Sequence, residues 1–402
     1  LLSLITYNET RYSINLPQIP YFDIILHTDN MKKFVRENAM FNFMDLGIAF
    51  IIALLSTFLL TFPVKKFAVK IGAVDLPNHR KIHKKITPRL GGLAIFIGTF
   101  LGMIYLQPQD EFLFEIVCGA IVIIITGALD DRFTLHPIAK LTGQLIATSF
   151  LISGGLIIER ITLPFIGQVE LGFLSVLVTV LWVVGITNAI NLIDGLDGLA
   201  TGVTSIALMS LFIMAVTDSR LLVAYFCIVL IGSNLGFLYH NFYPAKIYMG
   251  DTGSNFLGYM IAVISIMGLF KNIALLSFII PIIVLAVPIF DTLFAILRRL
   301  VNKQNIMMPD NKHIHYQLLS AGYSHRKTVL ILYGISAIFG VLAVIFSNAS
   351  ITANLIIIVI LIFLLHLLAE IAGLVMGGKR PVLGFLMKLL KRRKMKKQSN
   401  AD

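Results

Sequence analysis

Four polar residues recur every third position between two strongly apolar segments: Asn188, Asn191, Asp194 and Asp197. Residues three apart on a helical turn share a face, so this spacing points all four roughly one way. Gly195 and Gly198 lie among them and let another backbone or a ligand approach closely. Amides and carboxylates beside an apolar wall are costly unless they bind something. The competing reading is a polar turn that caps a helix at Asp197.

Three further clusters carry chemistry of the same kind. Asp130-Asp131-Arg132 closes an apolar segment. Paired carboxylates oppose the dipole at a helix C-terminus, so a metal, a lysine or both should hold them, and Lys140 is placed to reach back. Gly250-Asp251-Thr252-Gly253-Ser254-Asn255 opens another helix. Asp251 can cap that helix, or its free backbone N–H groups can take phosphate beside a Mg²⁺ held by the carboxylate. The third cluster, His313-Ile314-His315-Tyr316, follows Arg298, Arg299, Lys303 and Lys312. Its two-residue histidine spacing suits an extended strand or turn, and Zn²⁺ is disfavoured because no third or fourth ligand is near. So much positive charge predicts neutral imidazoles that donate to a diphosphate. Asp291, seven residues before Arg298, is either an intramembrane functional acid or that arginine's structural partner.

These clusters need a scaffold, and composition says which. Hydrophobic residues make up 57% of the 402 and charged residues only 13%, against about 25% charged in soluble domains. The chain reads as an all-α, polytopic membrane helix bundle of about eleven helices, near 45–63, 90–106, 114–129, 138–157, 171–187, 197–216, 221–238, 253–269, 272–297, 328–347 and 352–375. Two cysteines inside apolar runs give no disulfide framework. The net charge of +12 then reflects membrane sidedness and not nucleic acid. Alternating sides put 26 basic residues on the face that holds loops 64–89, 130–137, 188–196, 239–252, 298–327 and the tail, against three in the opposite loops. This asymmetry predicts a cytoplasmic face, and every motif above falls on it. Three segments are expected: a leader over 1–43, a transmembrane catalytic domain over 44–375 and a basic cytoplasmic tail over 376–402. The leader reads as non-native sequence ahead of a start at Met31, Met40 or Met44, or else as an amphipathic leader.

Together with Pro88-Arg89-Leu90-Gly91-Gly92, these motifs resemble the polyprenyl-phosphate N-acetylhexosamine-1-phosphate transferases, over roughly residues 44–375. The Pro-Arg-Leu-Gly-Gly run and the histidine pair resemble the bacterial GlcNAc-type branch. The resemblance implies transfer of GlcNAc-1-phosphate from UDP-GlcNAc to undecaprenyl phosphate in the bacterial plasma membrane, to start a cell-envelope polysaccharide or teichoic acid. It implies Mg²⁺, replaceable by Mn²⁺, on Asp251 with Asn191 as partner. It casts Asp130, Asp131, Asp194 and Asp251 as catalytic, and Lys140, Asn188, Asp197, His313, His315 and Arg298 as substrate-binding, with Asp197 facing uracil. Tyr316 departs from the family, which often has a histidine there. Membrane lipid is an expected partner, and a homodimer is compatible with the sequence. Two other readings are the same chemistry on another UDP-N-acetylhexosamine and a transporter of a lipid-linked sugar or anion. A transporter would place its charges near the midplane, often on inverted repeats, and no repeat is visible.

Overall fold

The computed structural model describes residues 42–75, 86–163, 167–269, 279–303 and 312–373. The leader up to residue 41 and the tail expected over 376–402 lie outside these residues, as do His79, His83, Lys271 and Asp310. Thirteen helices occur among the described residues. They are α1 (Phe43–Ile71), α2 (Gly91–Leu106), α3 (Leu113–Phe133), α4 (Pro137–Ser153), α5 (Leu174–Ile193), α6 (Leu199–Thr217), α7 (Leu221–Asn241), α8 (Gly250–Leu269), α9 (Ile279–Val284), α10 (Ala286–Val301), α11 (Ile314–Ser320), α12 (His325–Asn348) and α13 (Ile351–Ile371). Seven of these are long and apolar enough to cross a membrane: α1, α3, α5, α6, α7, α12 and α13. The molecule is an all-α, multi-pass membrane bundle.

Four short strands complete the described elements: β1 (Val74–Asp75) pairs with β2 (Thr87–Pro88), and β3 (Arg160–Leu163) with β4 (Gly167–Glu170), both antiparallel. The second hairpin follows the C-terminal end of α4, at the opposite end of the bundle from Lys140.

Helix α8 is the central strut. It packs on α3 and α5, and α2 also meets it. Its residues Phe256, Leu257, Tyr259, Ile261 and Val263 are essentially inaccessible. Around it, α1 packs on α2 and α7, α6 on α7, and α12 on α6. Hydroxyls inside these apolar helices bond back to their own turns, as in Thr148 to Gln144, Thr179 to Ser175, Thr187 to Val183 and Thr204 to Ala200, each at 2.7 Å. Each of these four hydroxyl hydrogens is thereby satisfied within its own helix.

Several expected boundaries move. Helix α1 runs eight residues past the expected end, to a left-handed Gly72 cap, and carries Lys65, Lys66 and Lys70 out of the apolar zone. Helix α5 continues through Asn188 and Asn191 to Ile193, shortening the loop read at 188–196. The single helix expected over 272–297 is divided at Leu285 in its described part. Pro288 supplies no N–H, so the carbonyl of Val284 has no helical partner there and the run breaks.

Candidate active site

The α3–α4 connection is three residues long, which folds α4 back along α3. His136 caps α4 and Pro137 occupies its first position, a residue that suits the start of a helix. Lys140, in the first turn, therefore lies beside the end of α3. Its Nζ is 2.7 Å from Asp130 Oδ2 and 2.6 Å from Asp251 Oδ2. The lysine expected to hold the acid pair does so for Asp130 alone, and it ties that acid to α8.

Asp131 does something different. Its side chain is wholly buried. It accepts the backbone N–H groups of Asp251 (2.9 Å) and Thr252 (3.0 Å) and the Thr252 hydroxyl (2.6 Å). Asp131 is thus the cap of α8, delivered from another helix, and the expectation that Asp251 caps its own helix is corrected. The same bonds correct a second expectation. Two of the N–H groups read as an open phosphate cradle, those of Asp251 and Thr252, are already engaged by Asp131. Relieved of capping, the Asp251 carboxylate faces Lys140 and Arg89.

Arg89 is the site residue that spacing did not single out, although its motif was visible. It lies 3.4 Å from Asp251, 3.7 Å from Asp131 and 3.8 Å from Asp75. Its position follows from the two glycines after Leu90. Gly91 and Gly92 donate backbone bonds to Tyr248 and Met249 at 3.0 and 2.9 Å. A Cβ on Gly92 would stand 2.0 Å from the Gly253 nitrogen, so only glycine lets α2 meet the start of α8.

The amides complete the floor. Asn191 donates to Ser254 Oγ at 2.8 Å, while Asn188 and Asn255 both bond to Gln144 on α4. Gln144, Ser254 and Asn255 were not among the expected site residues. Gln144 sits four residues after Lys140, on the same helical face.

Asn188, Asn191, Asp194 and Asp197 do not share one helical face. The helix stops at Ile193, with Asp194 as its C-terminal cap residue. Asp197 turns toward the connection between α7 and α8 and accepts the Ala245 N–H at 2.9 Å. The half-buried Asp194 carboxyl faces the acid cluster. Burial pushes it up to about 7, reinforced by the charge of Asp251 and opposed by Arg89.

The histidine segment opens a short helix and is not the extended strand or turn expected from its spacing. His313 is the N-cap residue of α11, His315 lies in its first turn, and their rings stack at 5.8 Å. Asp291 does not pair with Arg298. It takes His313 Nδ1 at 2.9 Å and the Ile314 N–H at 2.8 Å, and so caps α11. Arg298 donates to the Ala372 carbonyl at 3.2 Å, on the side of α13. His315 is 1% exposed, and neither ring nitrogen has a hydrogen-bond partner. It is pushed down to about 4, first by burial and further by the neighbouring His313 and His325, with Asp291 opposing. A neutral imidazole was expected, but dryness is the main cause rather than the surrounding arginines and lysines. Its ring fills the space where Gly195 has no side chain; a Cβ there would lie 2.3 Å from Nε2. His315 thereby packs α11 against the Asp194–Gly198 turn.

Five carboxylates, Asp75, Asp130, Asp131, Asp194 and Asp251, surround two cations, Arg89 and Lys140. That surplus of oxygen donors fits a hard divalent cation. Among the described residues no three His, Cys, Asp or Glu side chains form a ready metal cage, and Mg²⁺ commonly takes one or two carboxylates with substrate phosphates instead. Two cavities, of about 320 and 670 Å³, lie at the other end of the bundle, lined by residues such as Gln107 and Arg160. Arg89, Asp130, Asp131, Lys140 and Asp251 line neither cavity.

Residues 113–269 match the family described as glycosyl transferase family 4. A "probable undecaprenyl-phosphate N-acetylglucosaminyl 1-phosphate transferase" of Bacillus subtilis (strain 168) is 48% identical over 347 residues, covering 86% of this chain and 97% of that protein. A decaprenyl-phosphate N-acetylglucosaminephosphotransferase of Mycobacterium tuberculosis (strain ATCC 25618 / H37Rv) is 36% identical over 77% of this chain and 85% of its own length. An undecaprenyl-phosphate alpha-N-acetylglucosaminyl 1-phosphate transferase of Yersinia pestis is 27% identical over 76% and 85%. The matched segment begins with α3 and ends with α8, the two helices that Asp131 joins, and the chain belongs to glycosyl transferase family 4, in its bacterial polyprenyl-phosphate GlcNAc-1-phosphate transferase branch.

Proposed function

We propose that this enzyme transfers GlcNAc-1-phosphate from UDP-GlcNAc to undecaprenyl phosphate, giving undecaprenyl-diphospho-GlcNAc and UMP. The observation that carries the reading is the charge mismatch at Asp251: a carboxylate freed from capping, held between Lys140 and Arg89, in a cluster with more acids than bases. Such a site suits two anionic substrates that must be brought together with a cation. The acceptor's lipid nature is supported by apolar exposure at the same end: Ile138 and Leu141 flank Lys140 in the chain, and Leu192 follows Asn191. The basic asymmetry of 26 to three supports an active site on the cytoplasmic face of a bacterial plasma membrane.

The chemistry needs little from a base. A phosphate monoester has a second pKa of roughly 6, so the lipid phosphate is already mostly dianionic at neutral pH. One of its oxygens attacks the β-phosphorus of UDP-GlcNAc, the bond to the bridging oxygen breaks, and UMP leaves with that oxygen. No acyl-phosphate on the protein is required. Asp251 and Asn191 are the candidates to hold Mg²⁺, or Mn²⁺ in its place. When bound, that ion neutralises phosphate charge. Lys140 and Arg89 neutralise the remainder, Asp130 orients Lys140, and Asp131 fixes Asp251 by holding its backbone. Asp194, Asn188 and Asp197 belong to the donor side, with Asp197 turned toward the nucleoside. His313 and His315 position the loop, and Arg298 falls outside the contact set.

Purified protein in detergent, supplied with undecaprenyl phosphate, Mg²⁺ and a panel of UDP-sugars, tests the reading. UMP release with UDP-GlcNAc only when lipid phosphate is present is the expected result. Release without any lipid acceptor, or preference for another UDP-N-acetylhexosamine, would overturn the mechanism or the donor respectively.

A further inference from the structure

The turn that carries Asp197 is gripped at one residue from two helices. Gly198 is left-handed, with φ of 77°. Its N–H donates to Asn241 Oδ1 on α7 at 3.1 Å, and its carbonyl accepts the hydroxyl of Tyr333 on α12. Asn241 is itself fixed, since Oδ1 also takes the Thr201 hydroxyl at 3.0 Å and Nδ2 donates to the Ile247 carbonyl at 3.1 Å. The Tyr333 ring lies in a notch made by Gly202, where a Cβ would be 1.9 Å from the ring's Cζ. Asp197 precedes this gripped residue, and its carboxylate already accepts Ala245 N–H at 2.9 Å with one oxygen. Because Gly202 has no side chain, both the Tyr333 ring and its hydroxyl come close to α6, and the Gly198 carbonyl that accepts this hydroxyl also takes the helical Gly202 N–H at 3.0 Å.

We propose that Tyr333 is a positioning residue for donor binding: its hydroxyl holds the Gly198 carbonyl and so sets the direction of the Asp197 carboxylate toward the nucleoside. Tyr333 lies outside the segment 113–269 that matches the family, on a helix that carries none of the acid clusters. The proposal rests on Asp197 being a donor contact.

Tyr333→Phe keeps the ring in its notch and removes the hydroxyl, and with it the bond to Gly198. The expected result is an approximately tenfold rise in KM for UDP-GlcNAc and a matching weakening of UMP binding by calorimetry. The expected kcat and KM for undecaprenyl phosphate stay near wild type. Ser336→Ala, three residues further along α12 at a buried hydroxyl without a partner, should change none of these. In an Asp197→Asn background, Tyr333→Phe should add less than about a twofold effect, because both changes remove one interaction. If Asp197→Asn weakens UMP binding and Tyr333→Phe does not, the inference fails and the donor reading stands. If Asp197→Asn leaves UMP binding unchanged, the donor role of Asp197 fails and takes the inference with it. Independent effects in the double variant, or equal losses for both substrates, would also overturn it.

Discussion

Two places in this molecule use one device for different ends. At α8, Asp131 from α3 caps a helix in another part of the chain. At α11, Asp291 from α10 does the same. The first cap leaves a charged neighbour, Asp251, facing Lys140 and Arg89. The second leaves a dry one, His315, with no polar partner and a ring pressed on Gly195. A carboxylate spent on a helix end thus frees the next residue for binding in one case and buries it as a brace in the other. The comparison teaches that acids with similar surroundings in the sequence can have opposite duties. Asp131 and Asp291 hold helix ends, whereas the carboxyl groups of Asp251 and Asp194 face the charged cluster.

The widest separation between the two regions should come from Asp251→Ala. We expect turnover to fall by more than about a thousandfold, since removing one preorganised electrostatic group already costs 10²–10³, while the protein still inserts and stays monodisperse in detergent. Asp131→Ala should also lose activity, but with a stability cost of about 1–3 kcal/mol for stripping buried N–H groups of their acceptor, read as a lowered unfolding midpoint. An Asp131→Ala protein as stable as wild type would erase the distinction between holder and binder.

At the histidine end the sharper readout is pH. The folded state keeps His315 neutral down to about 4, whereas an unfolded histidine takes its proton near 6.5. The unfolded chain therefore binds more protons between those values. The stabilisation is complete above about pH 6.5 and is lost as pH falls toward 4. Between pH 7 and 5 the loss is roughly 2 kcal/mol, and His315→Gln should flatten that part of the profile. The same pH dependence from 7 to 5 in wild type and His315→Gln would contradict the burial account, because the raised Asp194 shifts both profiles alike. The smallest effect belongs to Tyr316. It lies tilted on His315 at 4.2 Å, ring to ring. Tyr316→Phe should therefore change kcat/KM by less than about threefold, because packing contact and not a hydroxyl bond holds it there. A tenfold loss would mean that its hydroxyl donates to substrate.

Much of this was legible before any coordinates. The helical bundle follows from long apolar runs, and the gathering of acids on one end follows from which loops carry them. Lys140 reaching back to Asp130 was readable because a short connection constrains it. What was not legible was pairing across distance. Nothing local in Asp131 says that it caps a helix 120 residues later, or that Asp291 passes over Arg298 for His313. Arg89 was hidden for the same reason, since its partners lie up to 162 residues away. The three-residue period of Asn188 to Asp197 misled because periodicity says nothing about where a helix stops, and this one stops at Ile193. The histidine pair misled because a two-residue spacing suits an extended strand or turn, while a cap from Asp291 starts a short helix there.

The central claim is that the surplus of carboxylate around Asp251 is completed by a divalent cation during transfer. The direct measurement is UMP release from UDP-GlcNAc and undecaprenyl phosphate by the purified wild-type protein, first in excess EDTA and then with Mg²⁺ added back. The account predicts no release in EDTA and full recovery on adding Mg²⁺. Full release in excess EDTA would contradict it.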